Sequence, residues 1–177
     1  MAAEIRRHLF LTGSKQVGKS TLLRRLIEAC SLDCAGFETR AFYIGDERRG
    51  FTLHGRVNMP PYENDCVCCV RVEEKKSVPV LPVFDVNGVR ILEESQKSGA
   101  PFILMDEIGK LESRAQAFCA AVLACLDGDK RAVGVLQRCD SALVEAIRAR
   151  ADVTVIEVTQ ENRDALLDEL IQGLRQV

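Results

Sequence analysis

Tryptophan is absent from this chain of 177 residues, and aromatic residues make up only 5% of it. Flat aromatic surfaces on which single-stranded nucleic acid could stack are therefore scarce. An excess of positive charge is also missing, because the formal net charge is -2. A chain of this charge has no strong electrostatic attraction for DNA, RNA or an anionic membrane, although a local basic site is compatible with it. We expect no nucleic-acid partner.

Long apolar runs are missing as well. No stretch of about 20 uninterrupted apolar residues is present, so we expect no membrane span. The apolar run near the N-terminus is far too short for a signal peptide. Without an export signal, the eight cysteines point to a reducing compartment, and we expect the protein in the cytoplasm.

Three of the cysteines lie close together, at Cys66, Cys68 and Cys69. A structural zinc site usually needs a second pair of cysteine or histidine ligands at a similar spacing, and no convincing second pair is present. We therefore expect buried or strand-lining thiols here in preference to a metal site.

Apolar runs alternate with helical patterns along most of the chain. Short buried strands are predicted at 7–12, 102–105, 132–136 and 153–158. The 3.6-residue spacing of apolar residues predicts helices at 20–30, 86–97 and 113–126, and two further helices that begin near Asp140 and Thr159. Ser113, Asp140 and Thr159 are the expected N-caps.

Two more strands are predicted at 35–44 and 50–57, joined by a turn at 45–49 into a β-hairpin. The segment 58–82 is interpreted as an insertion of short strands and loops. The whole pattern predicts one domain over 1–177 with an α/β fold, in which a mainly parallel sheet carries helices on both faces.

The residues between the first strand and the first helix match the phosphate-binding loop pattern G-x-x-x-x-G-K-[ST]. Its glycines permit a tight turn of backbone N–H groups around a phosphate, and the following helix adds its positive dipole end. Lys19 supplies a charge for the β- and γ-phosphates. Lys15 is either a solvated side chain or a second positive charge, and the solvated interpretation is favoured. The predicted nucleotide-binding residues of this loop are Gly13, Ser14, Lys15, Gln16, Val17, Gly18, Lys19, Ser20 and Thr21.

The apolar strand at 102–105 ends in Asp106 and Glu107. Ligands gather at the carboxyl ends of parallel strands, so Asp106 and the Ser20 hydroxyl are the predicted Mg²⁺ ligands. Glu107 is the predicted general base for an attacking water, with Lys19 as the second catalytic residue. Alone, an Asp-Glu pair after a strand could equally be a helix N-cap. Beside a phosphate-binding loop, the catalytic interpretation is favoured.

Residues 106–112 read Asp-Glu-Ile-Gly-Lys-Leu-Glu. This run resembles the Asp-Glu-Ile-Gly-Lys-Met-Glu signature of the small P-loop nucleoside-triphosphatases, the family that includes the human cancer-related nucleoside-triphosphatase and thermophilic bacterial relatives. The stretches 35–39, 49–51, 147–153 and 158–163 resemble the same family in the same order. The resemblance covers most of the chain.

The resemblance implies a RecA-like P-loop NTPase fold and slow, Mg²⁺-dependent hydrolysis of ATP, GTP and other nucleoside triphosphates to the diphosphate and phosphate. It also implies nucleotide contacts along the second motif. The residues concerned are Ile103, Leu104, Met105, Asp106, Glu107, Ile108, Gly109 and Lys110.

The sequence departs from the family pattern at three places. Residues 14–16 are Ser-Lys-Gln where the family often has Pro and Gly, and 58–82 matches poorly. After the third strand, Gln137-Arg138 stands where the family tends to have Thr-x-His-Arg. Arg138 is a candidate for stabilising charge at the catalytic site, and a surface salt bridge is the alternative.

A nucleotide or small-molecule kinase is the nearest alternative function, since the same loop serves phosphoryl transfer. No Arg-rich lid is apparent outside 58–82, and Glu107 favours water as the nucleophile. The guanine-reading Asn-Lys-x-Asp motif and the Leu-Ser-Gly-Gly signature of transporter ATPases are both absent. A nucleotide-binding regulatory module with negligible turnover would share the same motifs. A nucleoside triphosphate is the expected ligand in each case, and the expected state is a monomer or weak oligomer.

Overall fold

The computed structural model describes residues 4–74 and 76–175. Within them, eight strands form one sheet: β1 His8–Thr12, β2 Cys34–Ile44, β3 Glu47–Gly55, β4 Cys66–Glu73, β5 Lys76–Pro79, β6 Phe102–Ile108, β7 Arg131–Leu136 and β8 Val153–Glu157. The same residues form five α-helices: α1 Lys19–Ala29, α2 Val89–Lys97, α3 Gln116–Asp127, α4 Ala142–Arg148 and α5 Arg163–Arg175.

The strand order across the sheet is β5-β4-β3-β2-β6-β7-β1-β8. Strands β2, β6, β7, β1 and β8 run parallel to one another, whereas β3, β4 and β5 are added antiparallel beyond β2. The parallel strands therefore end at one common edge. Strand β7 lies between β1, which leads into the phosphate-binding loop, and β6, which ends near Asp106.

Alternate residues of the parallel strands enter two separate hydrophobic cores. Leu9 and Leu104 belong to the core under α1 and α5, whereas Phe10 and Ile103 belong to the core under α2, α3 and α4. The prediction of a mainly parallel sheet with helices on both faces is confirmed.

The segment 58–82 contains a 3-10 turn at Pro61–Glu63 and the strands β4 and β5. Its antiparallel pairing with β3 extends the sheet beyond the hairpin. Cys68 and Cys69 are buried there, and burial raises the pKa of the Cys68 thiol to about 12. In the described part of the chain, no helix is both long and apolar enough to cross a membrane.

The predicted N-cap of α3 is wrong by a short distance. Ser113 lies in a 3-10 turn, where its hydroxyl donates to the carbonyl of Lys110 at 2.6 Å, and α3 begins at Gln116. The first turn of α3 instead receives the Asp85 carboxylate, which accepts from Phe118 N at 3.1 Å. Because this cap comes from a segment 33 positions away, it could not be predicted from the local sequence.

The N-cap of α4 is Ser141 and not Asp140, because Ser141 has the extended backbone and its hydroxyl accepts from Val144 N. Thr159 is not the N-cap of α5, which begins at Arg163; its hydroxyl instead accepts from Asn162 N at 3.2 Å in the turn before the helix. The hairpin turn is shorter than predicted, at Gly45-Asp46, since Glu47 and Arg48 already pair with β2. A π-helical turn at Val83–Gly88 directly precedes α2, so the second helical segment begins at residue 83 and not at the predicted residue 86.

Candidate active site

The phosphate-binding loop leaves β1 after Thr12 and enters α1 at Lys19. Gly13 and Gly18 have φ of 142° and 101°, in the region that favours glycine. A Cβ on Gly13 would also overlap the carbonyl oxygen of Val158. Gly18 is the N-cap of α1 and offers no side-chain cap. The first N–H groups of this helix are therefore left without a side-chain acceptor, which is the arrangement that binds phosphate.

Lys19 folds back over this loop. Its Nζ donates to the carbonyl oxygens of Gly13 at 3.1 Å and Ser14 at 2.8 Å, and the residue is only 8% exposed. Among the described residues, no carboxylate lies within 4.0 Å of this ammonium. A buried cation held only by carbonyl dipoles attracts an anion strongly, since burying a charge without a counter-charge is costly.

Ser20 follows at the start of α1, and its hydroxyl donates to Asp106 Oδ1 at 2.9 Å. The two predicted Mg²⁺ ligands are thus adjacent although they come from different motifs. Burial raises the pKa of Asp106 to about 6; the nearby Glu107 and Glu38 add to the rise, and the Ser20 hydrogen bond opposes it. An acid in this electrostatic setting is stabilised in its charged form by a divalent cation.

Glu38 is a second carboxylate close to Asp106, and it was not predicted from the sequence. It is the in-register partner of Asp106 in the parallel pair of β2 and β6. Arg40 Nε donates to Glu38 Oε1 at 2.8 Å, so this carboxylate already has a positive partner. Only the order of the strands places Glu38 here, because nothing in its local sequence marks it.

Glu107 is hydrogen-bonded to Gln137, the residue that directly follows the neighbouring strand β7: Gln137 Nε2 donates to Glu107 Oε1. The following turn is held by Glu112, which is 4% exposed and accepts from Gly109 N. Burial raises the pKa of Glu112 to about 7. Gln137 and Glu112 are therefore further site residues that were not predicted from the sequence, although Glu112 ends the 106–112 motif and Gln137 precedes Arg138.

The apolar residues of the second motif lie inside the protein. Ile103, Leu104 and Met105 are 0%, 3% and 0% exposed, and Ile108 is also fully buried. Their side chains fill the two cores and anchor the strand that carries Asp106 and Glu107. Asp106 and Glu107 are partly exposed, and Lys110 at the end of the motif is exposed.

The remaining predicted residues fall into two groups. Ser14, Lys15, Gln16 and Thr21 are exposed around the phosphate-binding loop, whereas Val17 is 6% exposed and packs in the core under α1. Arg138 is paired with Glu157 at the end of β8, where its Nη2 lies 2.8 Å from Glu157 Oε1. The structure therefore places Arg138 in the half-exposed salt bridge that was the alternative to a charge-stabilising role.

The chain is similar to known proteins over nearly its whole length. The chain is 34% identical to the cancer-related nucleoside-triphosphatase homolog of Bos taurus, over 96% of this chain and 97% of that protein. It is 28% identical to the nucleoside-triphosphatase THEP1 of Thermotoga maritima, over 94% of this chain and 95% of that protein.

Two solved structures share the fold. The solution structure of a human cancer-related nucleoside triphosphatase aligns with a TM-score of 0.71 at 31% identity, covering 96% of this chain and 98% of that one. The crystal structure of THEP1 from the hyperthermophile Aquifex aeolicus aligns with a TM-score of 0.72 at 25% identity, covering 93% and 97%. These likenesses confirm the P-loop NTPase fold. Residues 8–171 match the sequence model of the family described as NTPase, and the chain therefore belongs to this nucleoside-triphosphatase family.

Proposed function

We propose that this nucleoside-triphosphatase works on a Mg²⁺-bound triphosphate, with the phosphates on Gly13–Ser20, the metal at Ser20 and Asp106, and water activated by Glu107. The observation that carries the proposal is the 2.9 Å hydrogen bond between Ser20 and Asp106. It brings the helix end that can hold phosphates to the carboxylate that can hold a cation. Triphosphate hydrolysis needs both at one place.

The residues present suit magnesium. Ser20 and Asp106 offer a hydroxyl and a carboxylate oxygen, and Mg²⁺ prefers oxygen ligands, of which protein side chains usually supply only one or two. Bound there, Mg²⁺ would neutralise charge on the β- and γ-phosphate oxygens. The hydrogen bond between the two residues also keeps both side chains aimed at the same point.

Lys19 supplies the protein's own positive charge. In the structure its ammonium is held by the Gly13 and Ser14 carbonyls, which are neutral acceptors. A phosphate oxygen is a stronger partner because it is charged, so the side chain exchanges one of these contacts for the ligand. Charge on the transferred phosphoryl group is then stabilised throughout the reaction.

Glu107 is the proposed general base. It directly follows Asp106 and stays partly exposed, so it can reach a water beside the γ-phosphate. The water oxygen forms a bond to the γ-phosphorus while the bond from that phosphorus to the β–γ bridging oxygen breaks. The water proton passes to the Glu107 carboxylate, and the products are the nucleoside diphosphate, inorganic phosphate and a proton that returns to solvent.

Several wider features belong to the same proposal. The assigned side chains all address phosphates, metal or water, which favours acceptance of ATP, GTP and other triphosphates at a low rate. All eight cysteines are free thiols, which suits a reducing cytoplasm. We propose a single domain over 1–177 that acts as a monomer or weak oligomer.

The test is phosphate release from ATP, GTP and CTP with Mg²⁺, by the wild type, Glu107→Gln and a matched control, Glu28→Gln. Glu28 is an exposed residue near the end of α1. We expect Glu107→Gln to keep nucleotide binding and to lose roughly 100- to 10,000-fold in turnover. Unchanged turnover in Glu107→Gln would remove its assigned role. Phosphate that appears only on an added acceptor would indicate a kinase, and binding without any turnover in the wild type would indicate a regulatory module.

A further inference from the structure

Gln137 is clamped to the segment that follows Asp106 at three points. Its backbone N–H donates to the carbonyl of Ile108 at 2.8 Å. Its side-chain Oε1 accepts from Lys110 N at 3.2 Å, and its Nε2 donates to Glu107 Oε1. Both ends of the amide are therefore in use, and one of them is on the proposed base.

The orientation of this amide is fixed by its partners. The backbone N–H of Lys110 can only donate, so the amide oxygen must face it and the amide nitrogen must face Glu107. A charged carboxylate can only accept, which agrees with this arrangement at the other end. The contact to Glu107 is thus a hydrogen bond from a neutral donor to an anionic acceptor, the stronger kind.

Gly109 makes room for the amide. A Cβ at this position would lie 2.6 Å from Gln137 Cγ and closer still to the amide carbon and oxygen. The φ of Gly109 is not in the left-handed region, so the need for glycine here is a need for space. The Gln137 side chain therefore packs against Gly109 and occupies the space that a side chain at this position would need.

The hydrogen bond from Gln137 uses only one of the two oxygens of the Glu107 carboxylate. With Oε1 of Glu107 fixed by Gln137, Oε2 is the oxygen that remains to accept a proton from water. Because the amide of Gln137 does not titrate, its N–H donor is present at every working pH.

We infer that Gln137 is the positioning residue for Glu107: its amide, locked between the Lys110 N–H and the Gly109 backbone, holds one carboxylate oxygen so that the other faces the attacking water. The inference rests on the proposed role of Glu107. It assigns to β7 a direct part in hydrolysis, beyond its place in the sheet.

The first experiment compares Gln137→Met and Gln137→Glu, both of similar length. Each removes the donor to Glu107, but Gln137→Glu keeps an oxygen for the Lys110 N–H. We expect kcat to fall roughly 10- to 100-fold in both, with KM for the Mg²⁺-nucleotide within a few-fold of wild type. Gln96→Glu is the matched control, since Gln96 is an exposed glutamine whose amide donates to Cys125 Sγ. Equal kcat in wild type and both Gln137 variants would overturn the inference.

The pH profile of kcat separates positioning from a structural effect. In Gln137→Glu a second carboxylate stands beside Glu107, and like charge raises the pKa of the base, so the acid limb of the profile moves to higher pH. In Gln137→Met the limb has no such added charge and moves less. Loss of activity in both variants with one common, unshifted profile and a lowered melting temperature would show that Gln137 only supports the fold.

A double mutant tests whether Gln137 acts through Glu107. In a Glu107→Gln background, Gln137→Met is expected to change turnover less than two-fold, because the group it positions is gone. If Glu107→Gln alone leaves turnover intact, the proposed function of Glu107 fails and the source of any Gln137 effect lies elsewhere. If Glu107→Gln lowers turnover as expected but the two losses multiply, Glu107 keeps its role and the positioning by Gln137 is refuted.

Discussion

Ser20 and Asp106 are separated by 86 positions in the chain, and the Ser20 hydroxyl donates to Asp106 Oδ1 across 2.9 Å. The contact crosses strand β7, since β1, which leads to Ser20, and β6, which carries Asp106, are not neighbours in the sheet. The start of α1 and the strand β6 are thus joined by this hydrogen bond although β1 and β6 do not pair with each other.

The charge of Asp106 is expected to matter more than its hydrogen bond. Asp106→Asn keeps an oxygen that can accept from Ser20 but removes the negative charge that a cation needs. We expect Mg²⁺-dependent turnover to fall by roughly 100-fold or more, while nucleotide binding in EDTA is retained. A Mg²⁺ titration of phosphate release measures the first effect and a fluorescent nucleotide measures the second. Asp129→Asn, on an exposed aspartate, serves as the control, and normal Mg²⁺ dependence in Asp106→Asn would exclude it as a ligand.

Magnesium binding is expected to weaken in acid. The pKa of Asp106 is raised to about 6, so below that pH the carboxyl is mostly neutral in the free protein. Metal binding then has to displace the proton, and the apparent Mg²⁺ affinity falls by up to roughly tenfold per pH unit below about 6. Mg²⁺ titrations between pH 5 and 8, recorded with a nucleotide analogue that is not hydrolysed, would show this. A flat affinity over that range contradicts the prediction.

Lys19 and Lys15 give a direct comparison within one loop. Lys19 is buried over the loop carbonyls, whereas Lys15 is exposed. We expect Lys19→Ala to weaken nucleotide binding by roughly 100-fold, because charge-assisted hydrogen bonds to phosphate are lost. Lys15→Ala should change the affinity only a few-fold. Titration calorimetry with ATP measures both, and equal losses would show that Lys15 also contacts the phosphates.

Gly109 is expected to tolerate no side chain. Gly109→Ala places a methyl group against the Gln137 amide, which must move away from Glu107. We expect kcat to fall at least as far as in Gln137→Met. The melting temperature should drop only modestly, because the turn lies beyond the carboxyl end of β6. Gly99→Ala is the control, as a Cβ at Gly99 meets nothing within 4 Å. Full activity in Gly109→Ala would show that the amide has room to yield.

His8 predicts a pH dependence of stability that is independent of the site. The ring is fully buried, Nδ1 accepts from Ala132 N at 2.9 Å and Nε2 faces the Leu126 carbonyl at 3.1 Å, so the neutral form is held. Burial lowers the pKa of His8 in the folded state. The unfolded state therefore binds the extra proton, and stability is lost as pH falls below about 6.5, the ordinary histidine pKa.

Urea unfolding at pH 5.5 and 7.5 measures this change. His8→Asn removes the titrating ring, so the fall in the free energy of unfolding between the two pH values should be smaller in the variant than in the wild type. The comparison uses the difference between pH values, which stays informative even if the variant is less stable throughout. An identical fall in both proteins would show that other groups cause it.

The parts of the site that follow from short patterns were predictable. The phosphate-binding loop is contiguous, and Asp106 and Glu107 directly follow the apolar residues of β6, so their neighbours along the chain are visible in the sequence. Glu38 and Gln137 were not identified, because their closeness to these residues depends on β2 and β7 flanking β6. Strand order and register are non-local properties, and a single sequence does not state them.

The same reason explains the errors in the helix starts. A cap from the same few residues is visible in the sequence, but α3 receives Asp85 from a segment before α2. Where two candidate caps stand side by side, as Asp140 and Ser141 do, the backbone conformation decides between them. Arg138 is a similar case, since its partner Glu157 lies on β8.

The place of β7 between β1 and β6 links the packing of the sheet to the geometry of the site. Strand β7 is buried on both faces, with Ala132 and Leu136 in the core under α2, α3 and α4, and Val133 and Val135 in the core under α1 and α5. Because side chains alternate along a strand, a one-residue slip of β7 would exchange these residues between the two cores, and one register is therefore strongly favoured. The same register sets the position of Gln137, which directly follows the strand and hydrogen-bonds to Glu107.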